Sequence, residues 1–243
     1  MVQLKYFGDS RDYFKYDLIT HLLTDGVISN YAFVPMLTNH RVDGEGNKTS
    51  KHIRGKSKEL LSFIEKCDSK SLEHWELWLK PHIESYVTVH PVNEMFFEDA
   101  TRKEYWASFE TVIKTRNALI FVDPDTGLET GSPSYLEKMG REKYILNGEL
   151  AKLAQALDVS SVLMIYQHLQ NNKHKHKMSV HKKLKQVIKA SESSLVLAYR
   201  EDDLAFLFIT KNEAMFSQLC KLLESYHESS GHVYKSIHYE FNK

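Results

Sequence analysis

The chain has 243 residues, of which 42% are hydrophobic and 26% are charged. These proportions are ordinary for a globular protein and exclude wholesale disorder. Basic and acidic residues both number 32, so the formal net charge is zero, and any affinity for nucleic acid must come from a local basic patch. The two cysteines, Cys67 and Cys220, are far apart, which argues against a disulfide scaffold or a thiolate zinc site.

The sequence also predicts where the protein works. No apolar run reaches the ~18 residues needed to span a bilayer, and the first 16 residues are too rich in charge for a signal peptide. We therefore predict a cytoplasmic protein with no membrane partner.

Apolar periodicity predicts alternating helices and strands along the chain. Helices are expected at residues 12–23, 72–79, 105–113, 150–157, 178–188 and 214–226. Strands are expected at residues 31–37, 86–89, 118–122, 161–166, 195–199, 204–209 and 232–241. A polar stretch near residues 39–58 reads as a long mobile loop rather than a domain boundary.

This alternation predicts an α/β fold with a mostly parallel sheet, closed by an antiparallel hairpin near the C-terminus. We expect one domain over residues 1–243. In open sheets of this type, ligands bind beyond the carboxyl ends of the strands. Three segments are expected there: the loop after Leu37, the turn of residues 123–127, and the Gln167-His168 pair.

The sequence Asp123-Pro124-Asp125-Thr126-Gly127 directly follows a dry strand and is the most informative candidate site. Its carboxylates could coordinate a divalent metal or act as a base, and its backbone could bind an amino group on a substrate base. It could equally be a turn in which aspartate caps backbone N–H groups. His168 lies just beyond the next predicted strand and could serve as acid, base or metal ligand, or simply hold a neighbouring loop.

Near the N-terminus, a helix beginning around Asp9 or Ser10 would place Asp12 and Lys15 on one face, three residues apart. These side chains could reach a ligand, or they could form a helix cap and a surface ion pair.

A basic run without acidic residues occupies residues 171–189 and predicts a patch for a phosphate backbone. A solvated helix face, or a transition-metal site in its histidine-rich part, are the alternatives. The predicted nucleic-acid-binding residues are Lys173, Lys175, Lys177, Lys182, Lys183 and Lys185.

The N-terminal pattern Gly8-Asp9-x-x-Asp12-x-x-Lys15-Tyr16 resembles the Gly-Asn-x-x-Asp-x-x-Lys-His signature of the bacterial 23S ribosomal RNA adenine-N6 methyltransferases. That family also has a strand ending in Asp-Pro-Pro-Tyr, where this chain has residues 123–126. The three-Cys-motif partner proteins share a similar architecture. The chain is also similar to a bacterial group of unknown function with the same YFGD…RDYFKY start.

The resemblance implies a Rossmann-like three-layer sandwich, S-adenosylmethionine as cofactor, and a nucleic-acid base as substrate. It implies cofactor contacts for Asp9, Asp12, Lys15 and Thr38, and it implies that Asp123 engages the target amino group. The chain departs from the family in two places. Leu37-Thr38-Asn39-His40 replaces the glycine-rich loop after the first strand, and Asp125-Thr126 replaces the Pro-Tyr pair.

Three functions are therefore expected as alternatives. The first is a methyltransferase acting on nucleic acid, with catalytic residues Asp123, Asp125 and His168. The second is a nuclease or phosphodiesterase in which those residues hold Mg²⁺ or Mn²⁺. The third is a non-catalytic nucleic-acid-binding module. The choice between RNA and DNA stays open.

Overall fold

A computed structural model of the chain describes residues 10–38, 57–66, 77–82, 85–86, 97–169, 172–193, 195–229 and 234–239. The predicted loop at residues 39–58 lies almost entirely outside these ranges, as do Asp9 and Cys67. In the part of the chain that is described, no helix has the length and apolar character needed to cross a bilayer.

Helices and strands alternate along most of the described chain. The helices are α1 (Ser10–Thr24), α2 (Lys58–Lys66), α3 (Arg102–Ser108), α4 (Glu110–Ile113), α5 (Pro133–Met139), α6 (Asn147–Ala156), α7 (His176–Ser191) and α8 (Glu213–Ser229). The strands are β1 (Asn30–Pro35), β2 (Ser85–Tyr86), β3 (Ala118–Asp123), β4 (Gly127–Leu128), β5 (Tyr144–Ile145), β6 (Val162–His168), β7 (Val196–Glu201), β8 (Leu204–Thr210) and β9 (Lys235–Tyr239).

The main sheet has the strand order β2-β1-β3-β6-β8-β7-β9. The β1–β2, β1–β3 and β3–β6 pairs are parallel, whereas β6–β8, β7–β8 and β7–β9 are antiparallel. The α/β class and the C-terminal hairpin are confirmed, but the prediction of a mostly parallel sheet is wrong because the sheet is mixed. The tight β7–β8 connection at residues 202–203 turns the chain back, and β8 then inserts between β6 and β7.

Side chains of the central strands alternate between two apolar cores, one on each face of the sheet. In β3, Leu119 and Phe121 face the core that includes α1 and α8, while Ile120 and Val122 face the core that includes α6 and α7. Strands covered on both faces must be apolar throughout, which explains the continuous hydrophobic runs in the sequence. The sheet and its two helical layers give a three-layer arrangement, consistent with a Rossmann-like fold in general.

Helix α1 is buried on nearly every side because it packs against α2 and α8 as well as the sheet. A short connection joins α1 to β1, so the helix runs antiparallel to that strand. Its first turns therefore lie at the carboxyl edge of the parallel strands, and they carry Lys15 to the end of β3.

Candidate functional site

The ammonium group of Lys15 joins the start of α1 to the ends of β3 and β6. Its Nζ lies 2.7 Å from Oδ2 of Asp123 and 3.3 Å from Oδ1 of Asp12. The same nitrogen lies 4.4 Å from the centroid of the Tyr166 ring. Residues that are more than 100 positions apart in the chain thus meet in one cluster, which we call the Lys15 cluster.

The Lys15 cluster is almost completely dry, since Lys15 is 1% exposed and Asp123 is 3% exposed. Burial alone would lower the pKa of Lys15, but the carboxylates of Asp123 and Asp12 raise it above its usual range and keep the ammonium charged. Burial raises the pKa of Asp123, the Lys15 cation opposes that shift, and Asp125 adds to it. Among the described residues, neither Oδ1 of Asp123 nor the hydroxyl of Tyr166 has a hydrogen-bond partner.

The turn after β3 is fixed between β5 and β6. The backbone N–H of Thr126 donates to the carbonyl of Lys143 at 3.0 Å, and the carbonyl of Thr126 accepts from the N–H of His168 at 2.9 Å. Lys143 also places its Nζ 3.6 Å from Oδ2 of Asp125. The other carboxylate oxygen of Asp125, Oδ1, is buried and has no donor within the described ranges.

Gln167 explains why the turn ends in glycine. Its side-chain oxygen accepts from the N–H of Leu128 at 3.0 Å, and its amide nitrogen donates to the carbonyls of Thr126 and His168 at 3.2 and 2.8 Å. Gly127 has φ +132°, and a Cβ there would stand 2.4 Å from that side-chain oxygen. Any larger residue would therefore displace the buried amide that fixes the turn.

His168 belongs to an ion-pair network at the wall of the site. Its Nε2 lies 3.0 Å from Nη2 of Arg11 and 3.5 Å from Oδ2 of Asp203, and Arg11 and Asp203 are 3.0 Å apart. Burial of Asp203 works against ionisation, but the hydrogen bond from His168 and the Arg11 cation lower the pKa of Asp203 below its usual range. His168 is thus held in place by charged neighbours on α1 and the β7–β8 turn.

A cleft of about 950 Å³ runs from the Asp125 turn to helix α7. Five cationic side chains and two carboxylates are part of its lining, so the cleft is locally positive in a protein of zero net charge. The cations are Arg11, Lys143, Lys175, Lys182 and Lys183, and the carboxylates are Asp125 and Glu129.

The predicted basic helix is confirmed as α7, and its lysines are placed differently from one another. Lys175, just before α7, and Lys182 are exposed in the cleft, and within the described ranges neither forms an ion pair with a carboxylate. Lys183 donates to the carbonyls of Leu128 and Glu129 at 2.9 and 2.8 Å, and burial lowers its pKa to about 8.

The remaining predicted binding residues lie elsewhere. Lys177 and Lys185 are exposed on α7 outside the lining of the cleft. Burial lowers the pKa of His238, and the cations Arg200 and Lys177 add to that shift. The side chain of Lys173 falls outside the described set. Thr38, three residues after β1, is buried at the end of a described range.

The structure thus brings the predicted residues together as two neighbouring groups. Asp12, Lys15 and Asp123 form the Lys15 cluster, whereas Asp125 and His168 line the cleft with the lysines. Where the chain is described, no group of three or more His, Cys, Asp or Glu side chains is arranged to hold a metal ion.

Sequence reasoning missed three residues that shape this site, namely Arg11, Lys143 and Asp203, which provide ionic partners. Gln167 was expected at this edge of the sheet, but its part in fixing the turn was not predicted. Arg11 lies next to Asp12 in the N-terminal pattern, and this position was the signal that could have identified it. For Lys143 and Asp203 no signal in the sequence indicated a role, because only the folded chain brings them to the site.

No protein-family model matches the chain, and no match was found among curated proteins or solved structures.

Proposed function

We propose that the protein methylates an exocyclic amino group of a base in nucleic acid, with S-adenosylmethionine as methyl donor. One observation carries the proposal. The two carboxylates at the end of β3 each keep one buried oxygen without a hydrogen-bond donor among the described residues, one beside Lys15 and one beside the positive cleft. Buried acceptors of this kind are costly unless a ligand or an ordered water satisfies them.

We assign the methionine end of the cofactor, which carries both an ammonium and a carboxylate group, to the Lys15 cluster. The assignment rests on the chemistry of these side chains and not on an open pocket, since Lys15 is 1% exposed and Asp123 is 3% exposed. Oδ1 of Asp123 and the hydroxyl of Tyr166 are acceptors for an ammonium, and Lys15 is a donor for a carboxylate. Asp12 restrains Lys15 from the preceding turn of α1. When bound, S-adenosylmethionine supplies a methyl group activated by its sulfonium. Contacts of Asp9 and Thr38 with the cofactor stay predictions.

We propose that Asp125 engages the amino group of the target base, the role that the family resemblance implies for Asp123. The second oxygen of Asp123 faces Lys15, whereas Asp125 lines the cleft. A carboxylate that accepts one N–H of an amino group orients the nitrogen and increases its electron density. Lys143 stays beside the other oxygen of Asp125 and keeps that carboxylate in place.

The cations of the cleft supply the partner for a nucleic-acid backbone. Lys175 and Lys182 point into the cleft at its α7 side, where phosphates can release their counterions on binding. The metal-dependent nuclease stays a prediction without a specific observation in its favour. Each of its three expected ligands, Asp123, Asp125 and His168, faces a cationic side chain.

The test measures cofactor binding and methyl transfer separately. Isothermal titration should show binding of S-adenosylmethionine and S-adenosylhomocysteine to the wild-type protein. Transfer of tritium-labelled methyl groups to RNA and DNA oligonucleotides should fall by at least about 100-fold in Asp125→Asn, the usual scale for losing an oriented catalytic hydrogen bond. The variant should still bind the cofactor.

Glu110→Gln is the matched control, because Glu110 is exposed on α4 and away from the cleft. It should transfer methyl groups as the wild type does. A folded wild-type protein that binds no cofactor at millimolar concentration would rule the proposal out. Oligonucleotide binding without cofactor binding would instead support the non-catalytic module.

A further inference from the structure

Two exposed hydrophobic side chains stand in the cleft among its cations. In the described part of the chain, the large hydrophobic residues exposed to solvent are Leu77, Tyr135, Val159, Met178 and Tyr234. Tyr135 is 47% exposed and Met178 is 50% exposed, and both line the cleft. An aromatic ring and a thioether beside unpaired lysines suit a ligand that is both flat and anionic.

Tyr135 lines the same cleft as the Asp125 turn. It lies in the first turn of α5, where its backbone N–H donates to the capping hydroxyl of Ser132 at 3.4 Å. Burial raises the pKa of Tyr144, the neighbouring Tyr135 adds to that shift, and Tyr144 shares a side-chain hydrogen bond with Thr126. Tyr135, Tyr144 and Thr126 all line the cleft.

Helix α7 and the residue before it supply part of the cleft lining. Lys175 directly precedes the helix, Met178 and Lys182 are four residues apart on one of its faces, and all three line the cleft. His176, Val180 and Leu184 alternate with them on the buried face. A methionine between two free ammonium groups can contact an aromatic ring while the lysines contact phosphates.

We propose that the cleft binds single-stranded nucleic acid, with one base stacked on Tyr135 and contacted by Met178, and with the flanking phosphates bound by Lys175 and Lys182. This inference rests on the proposed function and specifies the form of its substrate. Every base has a π face, so an aromatic platform in a positive groove is suited to unpaired bases of any sequence. Asp125 is only 3% exposed, so an amino group reaches it only from a base that has left its stack.

The experiment uses fluorescence anisotropy with labelled single-stranded RNA and DNA of one mixed sequence, their duplexes, and no cofactor. We expect the wild type to prefer single strands over duplexes. Tyr135→Ala should weaken single-strand binding by about 5- to 150-fold, the range found when a stacking aromatic is removed. Tyr135→Phe keeps the ring and should stay within about 2-fold of the wild type, since stacking does not need the hydroxyl.

Tyr234→Ala is the matched control, because Tyr234 is as exposed as Tyr135 but lies outside the lining of the cleft. Its affinity should equal that of the wild type. Circular dichroism and cofactor titration should show that Tyr135→Ala is folded and still binds S-adenosylmethionine.

Three results would overturn the inference. They are equal affinity for single strands and duplexes, unchanged affinity in Tyr135→Ala, and equal losses in Tyr135→Ala and Tyr234→Ala. Each of these leaves the methyltransferase proposal standing if cofactor binding and methyl transfer are observed. Failure of every oligonucleotide to bind would overturn the inference together with the nucleic-acid substrate, whereas failure to bind cofactor alone would affect only the methyltransferase proposal.

Discussion

Lys15 balances the charge of Asp123 in a region without solvent, so the two side chains depend on each other. Replacing Lys15 by methionine preserves the apolar stem but leaves Asp123 as an uncompensated buried carboxylate. We expect Lys15→Met to reduce the free energy of unfolding by about 3–5 kcal/mol, as for other broken buried pairs. Urea denaturation followed by circular dichroism at neutral pH measures the change.

The control for Lys15→Met is Lys114→Met. Lys114 forms an ion pair with Glu110, four residues earlier in the chain, and both side chains are exposed to solvent. Exposed ion pairs of this kind contribute little to the free energy of unfolding. Lys114→Met should therefore not change the unfolding curve measurably. The double substitution Lys15→Met with Asp123→Asn should recover part of the lost stability, because it removes the uncompensated charge. Equal effects of the two lysine variants would contradict this account.

The sequence predicts only part of these contacts at the residue scale. The spacing of Asp12 and Lys15 predicts their ion pair, since helical geometry brings residues three apart to one face. The rule for carboxyl ends of strands predicts that Asp123 and His168 lie at one edge of the sheet. Neither argument shows that Lys15 faces Asp123, or that Arg11 and Asp203 enclose His168, because those contacts depend on packing between remote segments.

At the scale of elements, Arg102 joins α3 to α6 and to the segment before β5. Its guanidinium forms two hydrogen bonds with the carboxylate of Glu149, at 2.7 and 3.1 Å, and it also donates to the carbonyl of Arg141 at 2.9 Å. We expect Arg102→Met to reduce the free energy of unfolding by about 3–5 kcal/mol, since it leaves Glu149 without its cation. Chemical denaturation is again the measurement.

Arg141→Met provides the comparison, because Arg141 pairs with Asp99 at a site where both side chains are about 40% exposed. Solvent screens that pair, so its loss should cost less than about 1 kcal/mol. If both arginine variants lose the same stability, the connection through Arg102 is not what stabilises the packing of α3 against α6.

Helices and strands could be predicted from the sequence where they are long and apolar. The order and direction of the strands in the sheet could not. Strands β3, β6 and β8 all read as continuous hydrophobic runs, because all three are covered on both faces. Burial on both faces does not encode direction, so β8 could not be recognised as the antiparallel strand inserted beside β6. Helix α5, which begins with proline and has seven residues, was missed because it is too short for a clear period.

The molecule as a whole has a formal net charge of zero, but the lining of its cleft is positive. A cation that contacts a phosphate releases counterions from the nucleic acid, so the affinity falls as salt rises. Because the formal net charge is zero, the salt dependence should mainly report the few lysines in the cleft. Because Lys177 lies on the same helix as Lys182 but outside the lining, the two residues allow a direct comparison.

We expect Lys182→Gln to lower the slope of log affinity against log salt for a single-stranded oligonucleotide by about 0.7, the value for one lost phosphate contact. Lys177→Gln removes an equal charge from the same helix and should leave the slope unchanged. Anisotropy titrations over a series of salt concentrations measure both slopes. Equal decreases in the two variants would mean that α7 acts through its total charge, and unchanged slopes in both would remove Lys182 from the interface.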